Sequence, residues 1–464
     1  MRRTLAAGLM VFGLGAGVAR VAREPSPPRS TRPIYIADRD AAAPQKNTQV
    51  EPDSFAWGSK VVITFQKWRI VDGGADALGW ETSGDGGAHW RTGILPLGGY
   101  DAASDAVVTF DAAHHVWLIS GLGFHGRDDD VFVSRSPTGV QWSAPVVAAS
   151  DAAEEYDKDW IGCDNSARSP YRGRCYLAYV DTATWLLGIR TSDDGGRTWS
   201  QPQHLDPGTT GPGGVFSGPV PVTRPNGDLV VPYSFFAPLA PAGGPQPEDR
   251  VGAVVSHDGG ASFTPPIRIA ALEAADEAAD IRAPALPSAT VDAAGKLYVA
   301  WQDGRFRGYS DNDIVLSTSA NGASWSEPAR IPLARDAAYF VPAIGVDPAT
   351  SGRNAHLAVV YYSHHPSRGC ATYVPGCFEQ IDAWIVQSSD GGRTWGKPLR
   401  LNKEPMRVDW LAETAIGGML GDYISVSFVR GKPVAVVALA DPPSRAGHDE
   451  AIFACRSPAA CRRP

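Results

Sequence analysis

The sequence predicts an all-β protein assembled from one repeated four-stranded unit, and three observations carry that expectation. An eight-residue pattern ending in an aromatic returns at four places, and in eroded form at two more. Between the copies the apolar runs are short, β-branched or aromatic, and bounded by Gly, Pro and Asp, as strands closed by tight turns require. No long amphipathic period competes; residues 270–279 are the one short stretch that reads as a helix. For a chain of 464 residues, length alone would suggest about three domains of roughly 150 residues each. A repeat takes precedence in that count, so a single domain is expected over 33–464.

The repeat is read as follows. Ser83-Gly-Asp85-Gly-Gly87-Ala-His-Trp90 returns as Ser192-Asp-Asp194-Gly-Gly196-Arg-Thr-Trp199, as Ser256-His-Asp258-Gly-Gly260-Ala-Ser-Phe263, and as Ser388-Ser-Asp390-Gly-Gly392-Arg-Thr-Trp395. The eroded copies end at Gly139-Val-Gln-Trp142 and run over Thr318-Ser-Ala-Asn-Gly322-Ala-Ser-Trp325. Successive aromatics are 52, 57, 64, 62 and 70 residues apart, the length of one small sheet. The chemistry of the pattern is local: an Asp accepts from backbone N–H groups of its own turn, Gly takes positive φ, and an aromatic packs beneath the hairpin. The four Asp residues are therefore read as structural.

This pattern closely resembles the Asp-box, or bacterial neuraminidase repeat, of sialidases and other propeller families. The resemblance implies a β-propeller of Asp-box blades, the turn joining the third and fourth strands of each blade on the side away from the substrate. In the fifth blade, 287–291, 296–301 and 313–317 read as the first three strands, with the fourth running from Trp325. After the sixth box, strand-like runs remain at 423–428, 433–439 and 450–455. A fourth strand from the N-terminus, 33–36, would close the ring at seven blades; six is the alternative, because sialidase propellers have six.

Composition and charge narrow the setting. Acidic residues exceed basic ones, for a net charge of −8, and no basic run offers a grip on phosphates, so nucleic acid is not an expected partner. Residues 1–19 read as a signal peptide, with Arg2-Arg3 ahead of an apolar stretch and small residues near its end. Residues 20–32 read as an extended linker. The mature chain is expected to be extracellular, off the membrane and monomeric. Six cysteines fall into three close couples, Cys163–Cys175, Cys370–Cys377 and Cys455–Cys461, the expected local disulfides of an exported chain. No cofactor motif or metal-ligand set is legible; Asp311-Asn-Asp313 is oxygen-rich but lacks the rest of a calcium loop.

Function has to be argued from the site, since propellers host many activities. Candidate residues lie where loops entering inner strands, and loops joining second to third strands, converge on the axis. These are Glu51 and Asp53, Asp157 to Trp160, Arg282, Asp303 and Arg305, His364 and His365 after Tyr361-Tyr362, and Asp422-Tyr423. Glycosidic chemistry needs a carboxylic acid to protonate the leaving oxygen and a second carboxylate, or a Tyr activated by one. The sialidase resemblance implies a Tyr–Glu nucleophile, an Asp acid and arginines that clamp a substrate carboxylate. By residue type, Asp159, Tyr423 and Glu413 are the catalytic candidates, and Arg282, Arg305, Asp303, Asp422, Trp160 and His364 the substrate-binding ones. The sialidase Phe/Tyr-Arg-Ile/Leu-Pro tetrapeptide is missing before the first box, with Ile281-Arg-Ala-Pro284 a distant echo. The expected activity is a sialidase-like exo-glycosidase acting on an acidic or complex glycan; a non-catalytic glycan- or protein-binding propeller and a polysaccharide lyase using His and Tyr are the alternatives.

Overall fold

Strand pairing within short stretches of chain builds the architecture. The computed structural model describes residues 45–126, 128–206, 214–237, 248–275, 280–366, 379–445, 447–457 and 461–462. Among them there is no α-helix; Arg305–Arg307, Gly352–Asn354 and Val408–Trp410 are single 3-10 turns, so no helix there is long and apolar enough to cross a membrane. The rest is antiparallel sheet in seven successive modules, plus one two-stranded hairpin.

The first module comprises Gln49–Trp57, Lys60–Arg69, Ala75–Ser83 and Arg91–Ile94. The second comprises Ala102–Asp111, Val116–His125, Asp128–Ser136 and Val146–Ala149, and a single pairing of Ala75 with Ala103 joins the two into one sheet. The later modules start at Tyr156–Cys163, at Val215–Ser217 with Val222–Thr223, at Ser288–Val291, at Ala338–Val346 and at Ser425–Val429. These first strands touch one another in chain order, and Ser425–Val429 in turn touches Gln49–Trp57. The core follows the same order. Apolar residues pack between neighbouring modules, as Val107 does with Leu177 and Val255 with Val299, and Val61, Val360 and Val436 from the first, sixth and seventh modules share one cluster.

Each repeated turn joins the third and fourth strands of its module. The Ser83 hydroxyl donates to Asp85 Oδ1 and accepts from the Gly87 N–H, both at 2.8 Å. The same Oδ1 accepts from the N–H groups of Ala88 and His89 at 3.0 Å. Asp194 takes the N–H groups of Arg197 and Thr198, Asp390 those of Arg393 and Thr394, and Asp258 that of Ser262. The eroded copies keep the Ser-to-Gly bond, from the N–H groups of Gly139 and Gly322 at 2.8 Å. Gly391 shows why Gly is needed: its φ is +74°, and a Cβ there would sit 2.3 Å from the Gly352 carbonyl oxygen. Trp142, Trp199, Phe263, Trp325 and Trp395 pack half-buried against successive intermodule clusters.

Three expectations change. Residues 270 and 271 end the strand Ile267–Ala271 rather than open a helix, because Ala270 pairs with Val251 and both are buried; 276–279 lie outside the described residues. The outer strand of the seventh module is Cys461–Arg462, paired with Gly447–Cys455, so the module draws its four strands from the C-terminal stretch; 33–36 lie outside the described residues. The fourth strand of the fifth module is Ala329–Arg330, just beyond Trp325. The disulfides Cys163–Cys175 and Cys455–Cys461 are formed, each tying adjacent strands, while Cys370 and Cys377 fall outside the described residues.

Candidate functional site

Four first strands carry an irregularity near their N-terminal ends, and each places a non-glycine residue at positive φ. In the first, second, third and sixth modules the strand slips register at Val50/Asp53, Ser104/Val107, opposite Ala178/Val180, and at Phe340/Ala343. The residues involved are Glu51 (φ +54°), Asp105 (+52°), Lys158 (+54°) and Val341 (+47°). Left-handed backbone at non-glycine residues costs on the order of 1–3 kcal/mol each and concentrates at functional sites, and bulges re-aim side chains. Here the bulges bring Glu51, Asp105 and Lys158 into one cluster at the end of the molecule opposite the repeated turns.

The cluster is an acid-rich network. Lys158 Nζ lies 2.7 Å from Asp422 Oδ2, 3.8 Å from Asp157 Oδ1 and 3.9 Å from Asp105 Oδ2. Arg282 grips Asp422 with two nitrogens, Nε donating to Oδ1 at 2.7 Å and Nη2 to Oδ2. The Asp422 N–H donates to Glu51 Oε1 at 3.1 Å, and Gln66 Nε2 donates to the other Glu51 oxygen and to Ser104 Oγ. Ser104 donates to Asp105 Oδ1, whose other oxygen accepts the Lys158 N–H. Below them the Tyr423 hydroxyl donates to the Ala106 carbonyl at 3.2 Å, and its ring meets Trp160 edge to face. Asp159, 1% exposed, has the Ser120 hydroxyl beside its carboxyl.

Charge and burial separate these groups in acidity. Burial, then the charges of Asp422 and Asp105, pushes the Glu51 carboxyl up to about 8. Burial works against ionisation of Asp422 too, but Arg282 and Lys158 hold it well below the usual carboxylate range. Asp157, with a quarter of its side chain exposed, is raised to about 6 by burial and by Asp105 and Asp422, against the pull of Lys158. Burial lifts Asp53 to about 7 and Asp159 well above its ordinary value. Burial disfavours the Lys158 ammonium, yet Asp157, Asp422 and Asp105 outweigh it and raise its pKa.

Of the residues singled out from the sequence, Asp159, Trp160, Arg282, Asp422 and Tyr423 come together here. Glu413 does not: it lies on the hairpin Ala412–Thr414/Gly417–Met419, its side chain 72% exposed and 3.9 Å from His448. The Tyr–Glu pairing expected of Tyr423 is thus not made; burial raises the phenol well above its usual pKa, and the carboxylates acting on it are Glu51, Asp105, Asp159 and Asp53. Asp303 and Arg305 form their own ion pair at 2.7 Å in the fifth module, with Trp301 Nε1 also donating to Asp303. His364 is buried in the sixth module, 3.4 Å from Glu379 and beside Phe340. Asp313 is held by Arg330 at 2.7 Å and Asp311 by Arg307 at 3.4 Å, so both carboxylates of that stretch are engaged by guanidinium groups. Sequence reasoning missed Asp105, Lys158 as the central cation, and Arg69. Arg69 is buried with Nε on Met419 Sδ and feels the charges of Arg282, Glu51, Asp422 and Asp105.

No family model matches the chain, and no curated protein does. Among solved structures it is similar to an ulvan lyase of polysaccharide lyase family PL25, at 11% identity and a TM-score of 0.54, covering 89% of this chain and 94% of that one. The same lyase bound to -[GlcA(1-4)Rha3S]- matches at 12% identity and a TM-score of 0.54, covering 89% and 95%. A Hadza microbial sialidase matches more loosely, at 15% identity and a TM-score of 0.44, covering 78% and 70%. The fold is therefore an all-β, propeller-type architecture like that of the lyase.

Proposed function

We propose that this protein is a secreted glycoside hydrolase built on a seven-bladed propeller of Asp-box blades, with its active site at the bulged inner strands. The observation that carries the reading is the pair of carboxylates gathered on the Lys158 ammonium, Asp157 partly exposed and Asp422 buried. Asp157 is near 6, whereas Asp422 stays ionised, and both carboxylates sit within 4 Å of the same ammonium. Titratable neighbours driven apart in this way divide the acid and base roles of a glycosidase. Asp157 is the general acid that protonates the leaving oxygen, and Asp422 faces the positive charge that develops at the anomeric carbon. Asp159 and Tyr423 lie beneath and keep that floor rigid and dry. Export follows from the signal-like 1–19 and the paired cysteines.

A second reading, a polysaccharide lyase, is favoured by the fold likeness to the ulvan lyase. Turnover of a panel of chromogenic glycosides and polysaccharides, with reducing ends and the ultraviolet absorbance of unsaturated sugar followed together, separates the two. Reducing ends without absorbance, with Asp157→Asn lowering kcat at least about 100-fold, are expected. Absorbance rising with cleavage makes it a lyase, and glycan binding without any turnover makes it a binding propeller.

A further inference from the structure

The cations of the site are already committed to protein carboxylates. Arg282 is spent on Asp422, and Lys158 lies within 4 Å of Asp105, Asp157 and Asp422. Arg69 donates to the Gly74 carbonyl and Met419; further out Arg305 is held by Asp303, Arg307 by Asp311 and Asp313, and Arg330 by Asp313. A carboxylated sugar would therefore compete with the protein's own acids for each of these.

The second and third modules add to the negative side. Asp129, at the start of the third strand of its module, accepts the Tyr156 N–H at 2.9 Å, next to Asp157. Burial, then the charges of Glu155, Asp157 and Asp130, raises the Asp129 carboxyl to about 7, so the negative charge at this edge is carried chiefly by those three neighbours. Carboxylates left over once the cations are paired favour ligands of the opposite sign or none and repel their own.

We propose that the site takes a glycan whose reacting sugar is uncharged or carries an amine, and refuses one that carries a carboxylate. This rests on the glycan-acting reading above and gives that reading a substrate class. It reverses the arginine clamp that the sialidase resemblance implies for Arg282 and Arg305.

The test uses the purified mature protein and matched chromogenic glycosides sharing one aglycone and anomeric configuration: a hexoside, a 2-amino-2-deoxyhexoside and a hexuronide. The expected result is a kcat/KM for the uronide at least about tenfold below the better of the other two, with the gap narrowing in high salt. Asp129→Asn combined with Glu155→Gln is expected to narrow it further, since those side chains repel without touching the reacting bond. A uronide cleaved fastest, or a gap that neither salt nor the double variant moves, overturns the proposal. If no glycoside is cleaved, the hydrolase reading fails. Calorimetric binding of a neutral and a uronate oligosaccharide then decides the charge preference by itself: tighter binding of the neutral one sustains it, while tighter binding of the uronate, or no binding of either, ends it.

Discussion

The two ends of the modules are built on opposite principles. At one end, four Ser-x-Asp-x-Gly turns repeat the same few hydrogen bonds within eight residues of chain and two eroded copies keep the Ser-to-Gly bond, so each turn is complete in itself. At the other, Glu51, Asp105, Asp157, Lys158, Arg282 and Asp422 meet from five modules and loops, and no member recurs elsewhere in the chain. The Asp residues of the turns lie at or near the surface and are driven down in pKa by hydrogen bonds from their own loop, Asp194 and Asp390 to about 2. The carboxylates of the cluster are driven apart by burial, which raises Glu51 and Asp157, and by Arg282 and Lys158, which hold Asp422 down. Repetition therefore marks the scaffold, and its absence marks the place where chemistry is expected.

Breaking the cluster should cost most. Asp422→Asn leaves Lys158 and Arg282 buried against too little negative charge, a change that typically costs about 3–5 kcal/mol. The expected outcome is a large fall in the urea midpoint together with loss of turnover. Adding Lys158→Met removes one of the stranded cations and should return part of the lost stability, because the pair is coupled. Equal and additive losses from the two substitutions would show that the network is not the unit described here.

The same contrast explains what was legible in the sequence. The turns could be read because all their partners lie within a few residues of Asp85, Asp194, Asp258 and Asp390. The modules followed, since each is a run of consecutive strands. Asp159, Trp160, Arg282, Asp422 and Tyr423 were reachable only as polar or aromatic residues at the openings of inner strands. Asp105 sits in an ordinary strand, Ala102–Asp111, and gives no local signal; its role comes from a bulge at Ser104/Val107 and from Lys158 of the next module. Glu413 was misplaced for the converse reason. It looks like a catalytic acid by type, but the hairpin that holds it turns it to solvent.

Loss of a single turn should be milder and strictly local. Asp194→Ala removes the acceptor for the Arg197 and Thr198 N–H groups and for the Ser192 and Thr198 hydroxyls. All but the buried Ser192 hydroxyl, which still accepts the Gly196 N–H, stay near solvent, so the expected cost is about 1 kcal/mol, with kcat unchanged. Asp194→Ala and Asp258→Ala, in separate modules, should add to within about 0.5 kcal/mol in urea unfolding. A change in kcat, or strong non-additivity, would mean that the turns and the site communicate.

The smallest effect is expected at Glu51, where charge can be separated from shape inside the cluster. With its folded pKa raised from 4.5 to about 8, Glu51 is protonated in the folded protein over a range where the unfolded chain has lost that proton. Its contribution to stability is therefore complete below pH 4.5 and declines as the pH rises through about 8. Glu51→Gln mimics the protonated form. The Gln66 amide, whose Oε1 is buried without a partner, can turn over to meet the new NH2 group. Near pH 5 the variant should lie within about 1 kcal/mol of wild type, the usual scale of one exchanged hydrogen bond. Between pH 5 and pH 8 it should lose less stability than wild type, though some slope remains because burial also raises Asp53 and Asp159. Urea midpoints for both proteins at pH 5 and pH 8 check this; parallel curves would mean that Glu51 is already ionised in the folded cluster and that Lys158 and Arg282 neutralise it together with Asp422.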